Sequence, residues 1–359
     1  MRSTLIILTP GFPENEADTT CLPDRQIFIR VLRDTYPHLN IIVLSFQYPF
    51  QSREYYWDGV RIIALGGKGK SGLPRRVVWF RAYQQLKQLN KDNEVIGLLS
   101  FWLDECAFIA HMFAKKHGLQ NYAWMLGQDA RAGNRYVSRI VNKDGSNLIA
   151  LSQFLIDQFE KNYGITAQHL VASGINPAMF DTEVKERDID ILGAGFLIPL
   201  KQYHLFIEAV KIVKQSLPNV RVVLCGKGPE LNNLLALAAQ YGLQNNIEFK
   251  GEISHAEMLV MMQQAKVFLH PSSYEGFGTV LLEALYAGAH VISFLKPMKK
   301  SFRHHYVVAD AEEMGKTALD ILMDESRDHE PVLVQSVTQM AHDIMALYQP
   351  VLHNEDATA

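Results

Sequence analysis

The chain is poor in cysteine, lacks a long apolar run and has no surplus of positive charge. Each shortage narrows what it can be. Three cysteines in 359 residues, Cys21, Cys106 and Cys225, are odd in number and far apart, which argues against a disulfide framework and a cysteine-based zinc site. Reducing cytoplasm is the expected compartment. No segment supplies the roughly 20 consecutive apolar residues of a membrane span. The amino terminus, MRSTLIILTPGF, is apolar only from Leu5 to Leu8, too short for a secretory core, and reads as a first buried strand. Lys and Arg total 35 against 38 Asp and Glu, so the formal charge of -3 excludes a generally basic nucleic-acid binder.

Several catalytic signatures are missing as well. No H-E-x-x-H or G-x-S-x-G is present, and GAGFLI carries Ile198 where a dinucleotide fingerprint needs its third glycine. His304 and His305 are adjacent, and so cannot share a helix face as metal ligands would. Asp188-Ile189-Asp190 precedes an apolar strand, whereas a metal-holding D-x-D ends one. No metal and no resident cofactor are expected.

What is there is an alternation of short β-type runs with longer helical patterns, the mark of parallel sheets with helices on both faces. TLIILT, NIIVLSF, VRIIAL, EVIGLLSF, YAWML, NLIALS and QHLVAS are strand candidates in the first half. Helical patterns cover 24–35, 75–90, 104–117 and 153–163. After GINPAMFDTEVKERD, which reads as a linker, a second series begins: IDILGAG, VRVVLCG, NIEFKG, KVFLH and HVISF. Two doubly wound, Rossmann-like domains follow, over 1–175 and 176–335. Segment 336–359 is either a helix crossing back to the first domain or the last helix of the second.

The stretch HPSSYEGFGTVLLEALYAGAHVISF holds two glutamates, Glu275 and Glu283, among almost nothing else charged. From Thr279 to Ala287 apolar residues occupy every side, the pattern of a helix buried all round. A carboxylate there needs donors or a cavity that a ligand fills. Gly276 and Gly278 let the backbone turn tightly and approach a ligand. The helix start near Thr279 favours an anion. A phosphate at that end would put an attached ribose beside Glu283, and Glu275 could receive sugar hydroxyls.

This segment resembles the E-x7-E signature of the family-four retaining glycosyltransferases, which have the GT-B fold with two Rossmann-like domains facing a central cleft. GFLIPLKQYHLFIEAVKIVKQSLPNVRVVLCGKGPE is similar to the family's donor-phosphate lysine segment and the following strand ending in Gly-x-Gly-Pro. NIEFKGEIS resembles the strand and turn that hold the nucleobase. The likeness covers about 148–294 well and the first half in outline. It implies that Glu283 binds ribose, Glu275 the transferred sugar, and Lys201 the diphosphate, cradled by amides from Gly276 through Phe277 and Gly278 to Thr279. Gly195, Gly226, Gly251, Glu252 and Ile253 would complete the donor contacts. Where the family usually carries arginine, five residues before the lysine, this chain has Phe196.

In the first half, TPGFPENEADTT follows the first strand, and Gly11 is the donor-side candidate there. Asp129, in WMLGQDARAGNRYV, is expected either to position an acceptor hydroxyl or to cap a helix. The stretch 68–91 has many cations, no acid and interleaved aromatics. Lys68, Lys70, Arg75, Arg76 and Arg81 would touch an anionic membrane surface, or form the solvated face of an inward-packed helix. The expected activity is hexose transfer from a nucleotide diphosphate sugar, a UDP-sugar foremost, to a glycan or lipid-linked acceptor with retention, in cell-surface polysaccharide synthesis. The work would take place in the cytoplasm or at the inner membrane face. An epimerase of the same fold, and a catalytically weak sugar-nucleotide-binding partner subunit, stay open beside it.

Overall fold

Strands that are apolar on both faces need helices on both faces, and the chain meets that need twice over. A computed structural model describes residues 2–183 and 186–349. The chain divides into two units: one runs to Ser173 and takes in the chain again from Val337, the other is Gly174–Ser336.

The first unit is built on β1 (Ser3–Gly11), β2 (Asn40–Tyr48), β3 (Arg53–Trp57), β4 (Val60–Ala64), β5 (Glu94–Phe101), β6 (Gln120–Met125), β7 (Leu148–Ala150) and β8 (His169–Leu170). They lie in the order β3-β4-β2-β1-β5-β6-β7-β8, parallel throughout except for β3 against β4. Leu5 to Leu8 of β1 are fully buried. The helices are α1 (Pro23–Thr35), α2 (Leu73–Asp92), α3 (Glu105–His117), α4 (Val137–Ile140) and α5 (Gln153–Tyr163). Their limits follow from capping. Asp104 accepts from Cys106 N at 2.7 Å to start α3, and Ser152 accepts from Leu155 N at 3.1 Å to start α5. Left-handed Gly118 and Gly164 end them.

The second unit has β9 (Ile189–Ala194), β10 (Val222–Cys225), β11 (Ile247–Gly251), β12 (Ala265–His270), β13 (His290–Ser293) and β14 (His305–Val307), all parallel, in the order β11-β10-β9-β12-β13-β14. Helices α6 (Tyr203–Ser216), α7 (Leu231–Gln240), α8 (His255–Gln264), α9 (Thr279–Tyr286) and α10 (Ala311–Met323) complete it. The period-2 alternation of the strands sorts two apolar layers. Ile191, Val222 and Leu224 face Phe206, Val210 and Met314, while Leu192, Val223 and Phe268 face Met262, Leu281 and Leu285.

From β9 the chain steps to β10 and β11 on one side, then returns to β12 on the other. The crevice beyond the carboxyl ends of β9 and β12 is therefore a topological switch point, where open α/β sheets bind ligands. The last helix, α11 (Val337–Ala346), lies in the first unit and packs on α1. Beyond it, Tyr348 is fully buried and its hydroxyl donates to Leu98 O at 2.8 Å. Residues 350–359 of the expected carboxyl segment lie outside the described residues.

Candidate active site

The loops leaving β9 and β12 bring Lys201 and Glu275 together across the switch point of the second unit. After β9 the chain passes Gly195 and Phe196 into a single 3-10 turn, Pro199–Lys201. After β12 it runs through Pro271 to Glu275 and then into α9. Lys201 Nζ forms an ion pair with Glu275 Oε1, and His270 Nε2 lies 2.9 Å from the same oxygen. Oε2 of Glu275 has no hydrogen-bond partner among the described residues. Burial alone would raise the carboxyl's pKa. The His270 hydrogen bond and the Lys201 charge outweigh it and hold the value at about 2. Glu275 is thus ionised, pinned through one oxygen and open at the other.

Two glycines make this geometry possible. A Cβ on Gly226 would fall 1.9 Å from Gly195 O, so the ends of β9 and β10 approach more closely than any side chain permits. Gly278, at φ +82°, is the left-handed residue before α9 and supplies no capping side chain. A Cβ there would press on Leu281 Cδ1 at 3.1 Å, with Glu275 Cγ beyond it at 3.7 Å. Tyr203 reaches under the same loop. Its hydroxyl is buried, has no hydrogen-bond partner among the described residues, and would lie 2.7 Å from a Cβ on Gly195. Burial, then the Glu275 charge, pushes its pKa up.

Helix α9 departs from the expectation that it is buried all round. Leu281, Leu282, Ala284 and Leu285 are buried, whereas Thr279, Val280, Glu283 and Tyr286 form a half-open stripe. Residues spaced by three and four share a helix face, and apolar composition alone cannot say which face is covered. Glu283 keeps 14% of its side chain exposed and meets His255 Nε2 at 2.7 Å through Oε1. Its Oε2 has no partner among the described residues. His255 is the first residue of α8, placed there by a capping box in which Ser254 and Glu257 bond reciprocally.

The other expected donor contacts fall around this centre. Gly226 N donates to Gly251 O at 2.7 Å, joining the ends of β10 and β11. Glu252 pairs with Lys227 at 2.5 Å on the surface, and Ile253 packs partly into the core beside α8. Phe277 is buried, and Phe196 is 61% exposed. Sequence reasoning missed His270, His255 and Tyr203. The strand KVFLH ending five residues before Glu275 was the available signal for His270, and the S-x-x-E box was the signal for His255.

The first unit treats its candidates differently. Gly11 ends β1 in a buried position against Tyr48 and Cys21, at ordinary contact distance for a Cβ. Asp129 is committed to the backbone: its carboxylate accepts from Leu103 N at 3.0 Å, Gly127 N at 2.8 Å and Leu126 N at 3.2 Å. Three amides thus occupy the carboxylate, and it is not a helix cap: Asp129 lies inside the turn Gln128–Ala130, whose N-cap is Gly127. Arg75 turns inward to Glu105 at 3.6 Å, which removes it from the basic face, while Lys68, Lys70, Arg76 and Arg81 are exposed. No three His, Cys, Asp or Glu side chains among the described residues could hold a metal ion. No helix among them is long and apolar enough to cross a membrane.

Two α/β units, each built on a mainly parallel sheet with Rossmann-like topology, give the GT-B fold. Residues 175–328, nearly all of the second unit, match the glycosyl transferases group 1 family. The chain is 32% identical over 134 residues to the phosphatidylinositol N-acetylglucosaminyltransferase gpi3 subunit of Schizosaccharomyces pombe, which is 37% of this chain and 29% of that protein. It is 25% identical over 206 residues to glycogen synthase of Mycobacterium tuberculosis, 56% of this chain and 49% of that protein. The chain thus spans less than half the length of these relatives. HepE of Anabaena, solved with UDP and glucose, shares the fold at a TM-score of 0.64 and 13% identity, over 99% of this chain and 100% of that one.

Proposed function

We propose that the protein transfers a hexose from a nucleotide diphosphate sugar, a UDP-sugar foremost, to a glycan or lipid-linked acceptor with retention of configuration. The observation that carries the reading is the arrangement of Glu275 and Glu283. Each has one oxygen held by a basic side chain and the other open, on either side of the Gly276–Thr279 turn. A diphosphate at that turn would meet the amino-terminal end of α9 and Lys201. Glu283, one turn along, would accept from the ribose hydroxyls, and Glu275 Oε2 from the sugar. HepE binding UDP and glucose on the same fold supports the donor class.

In the reaction the bond from the anomeric carbon to the diphosphate oxygen breaks, and its electron pair leaves with the diphosphate. Lys201 and the helix end stabilise that charge. The acceptor oxygen attacks the same face of the sugar, and its proton passes to the departing phosphate oxygen. Nothing in this scheme calls on a metal or a resident cofactor. The role belongs in cell-surface polysaccharide synthesis. The exposed basic face made by Arg76 and Arg81 of α2 with Lys68 and Lys70 of the preceding loop would rest on an anionic membrane where a lipid-linked acceptor is presented.

Calorimetry with UDP, followed by assay of nucleotide diphosphate released from UDP-glucose, UDP-N-acetylglucosamine and GDP-mannose, tests the reading. UDP binding weakened by roughly tenfold or more in Glu283→Ala, with release that requires an acceptor glycan, is the expected result. Affinity unchanged in that variant would overturn it.

A further inference from the structure

We propose that His270 is the positioning residue for Glu275, holding its carboxylate in place while Lys201 turns to the donor diphosphate. The inference rests on the functional reading above and adds a residue to it. His270 ends β12 and is 1% exposed, below the loop that carries Glu275. Its Nε2 and the Lys201 ammonium both engage Oε1 of Glu275, so Oε2 is the oxygen presented outward. Lys201 cannot serve Glu275 and a diphosphate equally well. Once a dianionic group arrives, the ammonium is drawn to it, and the hydrogen bond from His270 remains as the hold on the sugar-side carboxylate.

The tautomer follows from the partner. Ionised Glu275 only accepts, so Nε2 must carry the hydrogen. Burial lowers the pKa of His270 against the pull of Glu275, so the ring is neutral and Nδ1 is a bare acceptor. Nδ1 is buried, and no protein group among the described residues donates to it. His290 in the same sheet has Nε2 at Asp328 O and Nδ1 at the Tyr306 hydroxyl. The neighbours of His270 in the strand, Val267, Phe268 and Leu269, are fully buried and apolar. A leucine would suit that core better than an imidazole with one idle nitrogen. The polar surroundings of the pair are Lys201, Tyr203 and His305, and none of them replaces the His270 hydrogen bond.

His270→Leu removes the donor, and His270→Gln places an amide N–H where Nε2 stood. Release of nucleotide diphosphate from the three donors named above gives kcat and KM, and calorimetry with UDP gives affinity for the nucleotide alone. His270→Leu is expected to lower kcat about tenfold or more, with KM and UDP affinity within about twofold of wild type. The acid limb of its kcat profile should move to higher pH, because Glu275 has lost a hydrogen bond to its ionised form. His270→Gln should recover most of the rate. Equal kcat in His270→Leu and wild type, or a parallel fall in UDP affinity, would overturn the proposal while leaving the site standing. Wild-type protein that neither binds UDP nor releases nucleotide overturns the functional reading, and this inference with it.

Discussion

His255 Nε2 stands 2.7 Å from Glu283 Oε1, so the first residue of α8 fixes the carboxylate in the middle of α9. If Glu283 binds ribose through its other oxygen, His255 acts on the ligand only through Glu283. Hydrogen bonds to a charged group contribute about 1.5–3 kcal/mol. Glu283→Ala should therefore weaken UDP binding by roughly 10- to 100-fold. His255→Ala should weaken it less, by about three- to tenfold, since the carboxylate stays but loses its anchor. The double variant should be no worse than Glu283→Ala, because the two losses are one loss counted twice. Calorimetry on the three variants completes the cycle, and full additivity would mean that His255 touches the nucleotide itself.

A histidine cluster gives the second unit an acid-sensitive core. His290 is buried, with ring centroids of His304 and His329 at 4.4 Å and 5.2 Å. Burial first, then the neighbouring His304 and His329, brings its pKa down to about 4, and both neighbours are lowered as well, mainly by burial. The surrounding charges are Asp328, Arg303 and Glu330 beside His304, Arg327 beside His290 and Arg187 beside His329. The folded pKa lies below the ordinary value, so the unfolded chain takes up the proton first. Stability is full above about pH 6.5 and falls as the pH drops toward 4. Thermal melts from neutral to mildly acid pH should show that decline. His290→Gln, which keeps a donor for Asp328 O but cannot titrate, should flatten it. Parallel curves for variant and wild type would assign the acid lability elsewhere.

The parts of this fold that can be read without coordinates are those where one physical demand dominates. IDILGAG and VRVVLCG announce β9 and β10 because a strand covered on both faces tolerates little but apolar residues. β3 gave no such sign: Arg53, Glu54 and Tyr56 are exposed on an edge strand that runs antiparallel to β4. β14, at an edge of the second unit's sheet, is three residues long, with polar His305 in it. The site divides in the same way. Glu275 and Glu283 stood out because charge is scarce around them, and the glycines between them required a turn. Their partners were hidden by distance along the chain, since His255 lies 28 residues before Glu283. Asp129 looked the same at a strand end whether it bonds three amides or an acceptor, and only the positions of Leu103, Leu126 and Gly127 decide between them.

Arg187 ties the far ends of the two site helices together. Its guanidinium donates to Ala265 O at 2.5 Å and Ala287 O at 2.6 Å, the residues that follow α8 and α9. Burial lowers its pKa to about 10, yet it remains a cation at neutral pH and suits the negative ends of both helices. Arg187→Ala should destabilise the second unit by about 2–4 kcal/mol, because two buried carbonyls lose their donor. Arg187→Lys should recover little, since one ammonium cannot reproduce a planar fork that spans both carbonyls. Urea unfolding followed by fluorescence measures both. Wild-type stability in Arg187→Lys would mean that charge, not geometry, is what the site needs.

Leu73, Val77 and Phe80 are 75%, 50% and 64% exposed and fall at i, i+4 and i+7 on α2, a continuous apolar stripe facing solvent. Arg76 and Arg81 flank it, Lys68 and Lys70 stand in the loop before it, and no acid occurs from Gly59 to Lys91. An apolar stripe edged by cations suits an anionic bilayer surface, where each cation contributes about 1 kcal/mol and the apolar side chains enter the headgroup boundary. The protein should sediment with phosphatidylglycerol vesicles at low salt, and not with pure phosphatidylcholine. Phe80→Asp should abolish sedimentation. Arg76→Glu combined with Arg81→Glu should weaken it by at least about tenfold, and high salt should do the same to wild type. Arg75→Ala supplies the control: its side chain faces Glu105, so it should cost stability and leave vesicle binding unchanged. Equal binding to both kinds of vesicle, or binding that survives Phe80→Asp, would show that this face is not the contact.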